Sequence, residues 1–223
     1  DLQQLADAWQ SEGRALSWLL QLGAQAKVLG LLAFGDELKP AAAAALASLQ
    51  QRGLTCHLIS GDNPGSAGLV ARQLGIEQVH ANVLPEDKAA RVAALKQAGH
   101  VVAMVGDGIN DAPALAAADV GIAMGGGTDV AIAAAGISLM RGDPQLVPAA
   151  LEISRRTYAK IRQNLFWAFA YNLIGIPLAA AGLLNPVIAG AAMALSSVSV
   201  VSNALLLKRW KPELPDTRPH QQL

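Results

Sequence analysis

A single cysteine, Cys56, leaves no material for an internal disulfide framework or for a multi-cysteine metal site within these residues. Set in an apolar run, it reads as a buried strand residue rather than a reactive thiol. Charge is also scarce: 15% of residues are charged against 52% hydrophobic, too apolar a balance for an ordinary soluble protein of this size. Part of the chain therefore belongs in lipid. The few charges cancel, 17 basic against 17 acidic, so the electrostatic footprint of a nucleic-acid binder is missing and nucleic acid is not an expected partner. The N-terminus, which begins with Asp1, shows neither the basic region nor the small-residue cleavage site of a signal peptide. A piece of a longer protein is expected. A chain of 223 residues allows one domain with a proper core plus a smaller appendage.

What is present is regular. An amphipathic helix is expected around Leu2, Leu5, Ala6 and Trp9, then a short apolar segment, Ala15 to Leu20. From Val28 the pattern reads strand (Val28 to Phe34), alanine-rich helix (Pro40 to Gln51) and strand (Leu54 to Ile59). It goes on with a helix near Gly65 to Leu74, a strand near Gln78 to His80, a helix from Pro85 to Ala98 and a strand from His100 to Val105. Such alternation predicts an α/β fold with a parallel sheet covered on both faces. Ligand sites in these sheets gather at the carboxyl ends of strands, where Ser60-Gly61-Asp62 and Gly106-Asp107-Gly108 both fall.

After Pro148 comes a basic helical segment with Arg155, Arg156, Lys160 and Arg162, and then Leu165 to Leu207 carries no charged residue. Asn185-Pro186 divides that stretch into halves of about 20 residues, each able to span roughly 30 Å. The expectation is a linker helix (149–164), a transmembrane helical hairpin (165–184 and 187–207) and a cytoplasmic tail (208–223), disordered from Trp210 onward. Basic residues flank both outer ends and are missing from the turn, which places both ends in the cytoplasm of a multi-pass protein of the cell (inner) membrane. The lipid bilayer is its first expected partner.

The turn Gly106 to Asp111 puts two carboxylates, Asp107 and Asp111, between glycines at a strand end. Hard oxygen ligands of this kind suit magnesium beside a substrate phosphate. A bare Gly-Asp-Gly is more often a solvated Asx turn. The longer string Met104-Val105-Gly106-Asp107-Gly108-Ile109-Asn110-Asp111-Ala112-Pro113-Ala114-Leu115, however, closely resembles the hinge-and-magnesium motif of P-type ATPases, whose phosphorylation domain has the Rossmann-like haloacid dehalogenase fold. Ser60-Gly61-Asp62-Asn63 is similar to the T/S-G-D segment of that family, Pro85-Glu86-Asp87-Lys88 to its P-x-x-K, and Asp119 to Gly125 with Thr128-Asp129 to a further element. The resemblance covers residues 28 to 207, with 28–148 as the second part of the phosphorylation domain and 1–27 as a remnant of the nucleotide-binding domain.

What the resemblance implies is phosphoryl transfer from ATP, catalysed mainly by positioning and charge neutralisation. Lys88 would supply a fixed positive charge, the Ser60 hydroxyl and Gly61 amide would bind the phosphoryl group beside Asp62 and Asn110, and Asp107 with Asp111 would hold Mg2+. The nucleophile of the family, the aspartate of D-K-T-G-T, occurs nowhere in the sequence. Asp36, in Gly35-Asp36-Glu37-Leu38-Lys39-Pro40, resembles instead the D-x-x-K/R element at the domain junction. The T-G-E loop of the actuator domain and the Cys-Pro-Cys of the preceding membrane helix are also absent. The implied partners are those missing parts of the same pump, together with a copper chaperone. At two positions the family carries acidic residues and this chain has Ala133 and Gly136, which concerns interdomain contacts rather than phosphate chemistry.

The implied cargo follows from the polar groups of the hairpin, none of them charged. Divalent cations need carboxylates in a low-dielectric site, whereas soft monovalent Cu(I) needs fewer charges. Tyr171-Asn172 and Met193-Ala194-Leu195-Ser196-Ser197 resemble the Y-N and M-x-x-S-S signatures of copper-transporting P-type ATPases, which makes Tyr171, Asn172, Met193 and Ser197 the expected ligands for Cu(I) or Ag(I). Zinc, cadmium or another cation is the alternative cargo. A membrane-anchored module of the same fold without turnover is the alternative function.

Overall fold

In the computed structural model, which describes residues 2–11, 14–23, 26–34, 38–183 and 185–211, the chain divides into two compact units, Asp1–Val147 and Pro148–Leu223. Asp36 and most of the expected tail, residues 212–223, lie outside the described residues.

The first unit opens with helix α1 (Leu2–Ser11), strand β1 (Ala15–Gln21) and strand β2 (Lys27–Phe34). β2 pairs antiparallel with β1, Ala15 opposite Phe34 and Gln21 opposite Lys27. The expected strand at 28–34 is thus present, but it is not the first strand of a parallel β-α-β unit. Connection length accounts for the antiparallel pairing with β1: residues 22–26 are enough for an antiparallel turn, while a parallel neighbour needs a crossover of a dozen residues or more. The boundary expected between residues 27 and 28 falls inside this hairpin.

Helix α2 (Ala42–Gln51) leads to β3 (His57–Ile59), α3 (Pro64–Leu74) and β4 (Gln78–His80). β3 and β4 are parallel, with Ile59 opposite His80. Cys56 lies just before β3, half-buried, and burial pushes its thiol up, away from the reactive thiolate. α3 starts where its sequence says it can: Asn63 accepts the Ser66 N–H at 3.0 Å and Pro64 occupies the first turn.

Helix α4 (Pro85–Gln97) then crosses to β5 (Ala103–Gly106), followed by a 3-10 turn (Ile109–Asp111), α5 (Ala112–Ala117), β6 (Val120–Ala123), α6 (Asp129–Ala134) and β7 (Ile137–Ser138). β5, β6 and β7 form a three-stranded parallel sheet in that order. Small residues let its helices sit close: Ala114, Ala123 and Ala131 are fully buried around Leu115 and Ile122. Each of those two larger side chains contributes about 1.5–3 kcal/mol by burial. Asp119, at the mouth of β6, accepts the Val102 N–H at 2.9 Å and pairs with Lys96 at 3.1 Å. Those bonds, the Val102 one foremost, hold its carboxyl below the usual range.

The second unit consists of α7 (Leu146–Ala180), whose first residues belong to the preceding unit, and α8 (Pro186–Leu205). Linker and first apolar segment, expected as separate helices, are one helix of 35 residues. Nothing between Arg162 and Leu165 breaks helical propensity, and Pro177, which cannot donate to the Leu173 carbonyl, lies well beyond that junction and three residues before the helix ends. α7 and α8 are joined by a polar cluster in which Lys160 donates to the Asn203 side chain at 2.7 Å and Asn203 donates to Asn164 at 2.8 Å. Among the described residues one helical stretch, Ala189–Arg209, is long and apolar enough to cross a membrane. The 165–180 portion of α7 is shorter and carries Tyr171, Asn172 and Pro177.

Candidate phosphoryl site

β5 ends at Gly106, and the chain turns at once, so the Asp107 and Asp111 carboxylates both leave from a strand end. Gly106 is required there: a Cβ would meet the Asp111 side chain at 2.7 Å. The Gly108 N–H donates to Asp111 Oδ2 at 3.1 Å, while the Asp111 N–H donates back to the Gly108 carbonyl at 3.0 Å. Lys88 Nζ reaches Asp111 Oδ1 at 2.8 Å from the first turn of α4. Both side chains are well shielded, 16% and 13% exposed. An ammonium has three donors, so the bond to Asp111 leaves two for an incoming anion. Asp111 thereby fixes where the positive charge sits.

Asp107 is exposed, and its backbone rather than its side chain is pinned: its carbonyl accepts the Thr128 N–H at 2.9 Å. Asn110 is exposed on the same turn. Thr128 was legible only as part of a motif, and its anchoring of Asp107 emerges from the structure.

Ser60, Gly61 and Asp62 follow β3 and are stitched to the loop after β4. The Ser60 N–H donates to the His80 carbonyl at 2.9 Å, the Val83 N–H to the Ser60 carbonyl at 3.0 Å, and the Asn82 N–H to the Asp62 carbonyl at 2.8 Å. Asn82 adopts φ 53°, a left-handed conformation that asparagine tolerates. The residues after Val83 lead directly into α4 and Lys88. Backbone continuity therefore links the Ser60 loop to the Lys88–Asp111 pair. The Ser60 hydroxyl donates to Asp62 Oδ2 at 2.7 Å and accepts the Asp62 N–H at 3.1 Å. To donate to a phosphoryl oxygen it must give up Asp62.

Among the described residues no group of three His, Cys, Asp or Glu side chains is placed to hold a metal. An all-protein cage is therefore not what this turn offers. Magnesium asks less, one or two carboxylates completed by waters and phosphate oxygens. Exposed Asp107, whose carboxylate has no protein partner among the described residues, fits that requirement, and Asp111 keeps acceptor capacity beside its bonds to Lys88 and Gly108.

The expected copper ligands lie in the other unit, Tyr171 and Asn172 on α7, Met193 and Ser197 on α8. Asn172 donates to the Ala168 carbonyl at 2.8 Å and Ser197 to the Met193 carbonyl at 3.2 Å, both within their own helices. The Met193 side chain is 75% exposed. Among the described residues no hydrogen bond draws the four together.

Residues 1–119 match the haloacid dehalogenase-like hydrolase family. The chain is 57% identical over 185 residues to a copper-exporting P-type ATPase of Staphylococcus haemolyticus, covering 83% of this chain and 23% of that protein. It is 51% identical over 217 residues to a probable copper-transporting ATPase, PacS, of Synechocystis sp., covering 94% of this chain and 29% of the relative. The chain thus spans about a quarter of the length of the curated relatives it matches. Among solved structures, a zinc-transporting PIB-type ATPase in its E2.Pi state superposes with a TM-score of 0.80 at 36% identity, over 93% of this chain and 34% of that one.

Proposed function

The chain belongs to the haloacid dehalogenase-like hydrolase family, and we propose that it is the phosphoryl-binding and membrane-hairpin part of an ATP-driven Cu(I) or Ag(I) export pump of the P-type. The Lys88–Asp111 pair on the Gly106–Asp111 turn is the observation that carries this reading. A well-shielded ammonium beside the end of β5, with two donors unused among the described residues, neutralises the equatorial oxygens of a transferring phosphoryl group. Ser60 and Gly61 bind the same group from the neighbouring loop, and Asn110 borders it. Asp107, assisted by Asp111, would hold the magnesium, whose chemistry is to neutralise phosphate charge.

The nucleophile belongs to another part of the pump, since D-K-T-G-T is absent from these residues. In the same reading, the actuator and nucleotide-binding domains and a Cys-Pro-Cys helix complete the machine, and a copper chaperone delivers the ion. α8 and the apolar part of α7 span the cell membrane as a hairpin, with the phosphoryl site and the C-terminus on the cytoplasmic side. Copper is favoured over zinc because Leu165 to Leu207 holds polar residues but no carboxylate to neutralise a divalent ion. The zinc-transporting neighbour sustains the second reading, a zinc or cadmium pump. Incubation of this chain with radiolabelled ATP and magnesium is expected to leave no acid-stable label on it. Covalent label would mean that these residues contain their own nucleophile, and the division of labour proposed here would fail.

A further inference from the structure

We infer that His57 and His80 are positioning residues for the phosphoryl-binding loop: their rings meet nitrogen to nitrogen across β3 and β4, share one proton, and hold Ser60–Asp62 against Asn82–Val83 until both rings are protonated. The inference rests on the phosphoryl role given above to Ser60 and Gly61.

His57 Nδ1 and His80 Nε2 are 3.4 Å apart. The ring planes are parallel to within 1° and the centroids 5.7 Å apart. That centroid separation exceeds the nitrogen separation by one ring's width, so centroids and nitrogens lie nearly on one line. The rings meet edge on, as an N–H···N bond requires, and not face to face. Such a bond needs one nitrogen as donor and the other as acceptor, so at least one imidazole is neutral.

The position of the pair gives it a role. His80 is the residue whose carbonyl accepts the Ser60 N–H, and β3 runs directly from His57 into Ser60. The side-chain bond and the three backbone bonds around Ser60, Asp62, Asn82 and Val83 therefore close one small network. Two strands of three residues have little other pairing to keep their ends together.

The charges acting on His80 come from Arg91 of α4 and from His57; on α3, which also packs on β4, the charged residue is Arg72, exposed in the last turn of that helix. Burial first, then Arg91 and His57, hold the His80 proton affinity below its ordinary value of 6.5. A folded-state value below the unfolded one means that the contribution of the pair is complete above about 6.5 and is lost as pH falls through the lower folded value. A second proton would put two cations nose to nose beside Arg91, and the bond between the rings would be gone.

The test is amide exchange by NMR on the full chain in detergent micelles, expressed as protection factors so that the intrinsic pH dependence cancels. As pH is lowered from about 7.5 until the His80 ring signal has passed fully through its own transition, the protection of Ser60 and Val83 is expected to fall about tenfold, with a midpoint that follows that signal. In His57→Phe, protection is low at both ends and the step is gone. A flat wild-type profile, or a step that survives in His57→Phe, would overturn the assignment. Inorganic phosphate with magnesium, added at neutral pH, tests the underlying reading separately. If the pH step is present but the Ser60 and Gly61 signals ignore phosphate, the histidine pair stands and the phosphoryl role of the loop does not.

Discussion

On the proposed function, Lys88→Met in the intact protein is expected to lower metal-stimulated ATP hydrolysis by about 10²–10³-fold, the usual loss when one preorganised donor to a developing charge is removed. The physical reason lies in how the ammonium is held. Lys88 stands on the first turn of α4, its Nζ fixed at 2.8 Å from Asp111, and little of either side chain meets water. A charge already oriented in a shielded site needs no reorganisation when the phosphoryl group loosens. Lys88→Arg is not expected to rescue the loss, because a planar guanidinium cannot replace a compact ammonium bonded to one carboxylate oxygen. Adding Asp111→Asn to Lys88→Met is expected to cost less than the two single losses combined, since the residues act as a unit. Steady-state hydrolysis by Lys88→Met, Lys88→Arg, Asp111→Asn and the double variant, with circular dichroism to confirm folding, checks all of this. Near-wild-type turnover in Lys88→Met would remove Lys88 from the site.

Gly127→Ala is expected to damage the same site from its opposite wall. A Cβ at position 127 would lie 2.6 Å from the Asp107 carbonyl oxygen, 3.0 Å from Asp107 Cα and 2.9 Å from the Met124 carbonyl oxygen. All three are backbone atoms and cannot swing aside. The carbonyl under pressure is the one that receives the Thr128 N–H, so relief means moving Asp107 or breaking that bond. Overpacking of this kind costs about 1–3 kcal/mol in stability. A displacement of the carboxylate by about 1 Å costs about 10²-fold in rate. Gly136→Ala is the control: the nearest atom to its added Cβ is 3.9 Å away, and both stability and rate should stay near wild type. Thermal unfolding and hydrolysis measured well below the melting temperature separate the two effects in Gly127→Ala. Retention of both would show that Asp107 is not pinned through Gly127.

These two predictions differ in how far the sequence alone leads to them. Lys88, Asp107 and Asp111 are legible because a long, ordered string surrounds them, and β4 lies where a short strand near Gln78 to His80 is expected. Contact between Lys88 and Asp111 is not legible, because residues 23 apart meet only once the start of α4 and the end of β5 are set side by side. The same holds for the close approach of Gly127 to Asp107. Pairing of β2 with β1 escapes a reading based on periodicity, since an apolar run does not say which neighbour it takes; the short connection does. α7 runs through the point where water was expected to give way to lipid because helical propensity does not register that boundary. The His57–His80 contact has no motif at all, only two short strands in register. Of the expected copper ligands, Asn172 and Ser197 bond within their own helices, the ordinary recourse of a polar group there.

The most direct measurement is the stimulation of ATP hydrolysis by metal ions in the intact protein that carries this chain, purified in lipid, with Cu(I), Ag(I) and Zn(II) offered in turn. Uncharged polar residues throughout Leu165 to Leu207 and the relationship to copper-exporting pumps predict that Cu(I) and Ag(I) raise the rate while Zn(II) does not. Stimulation by Zn(II) alone would contradict the account of the cargo, and hydrolysis indifferent to every metal would contradict the pump.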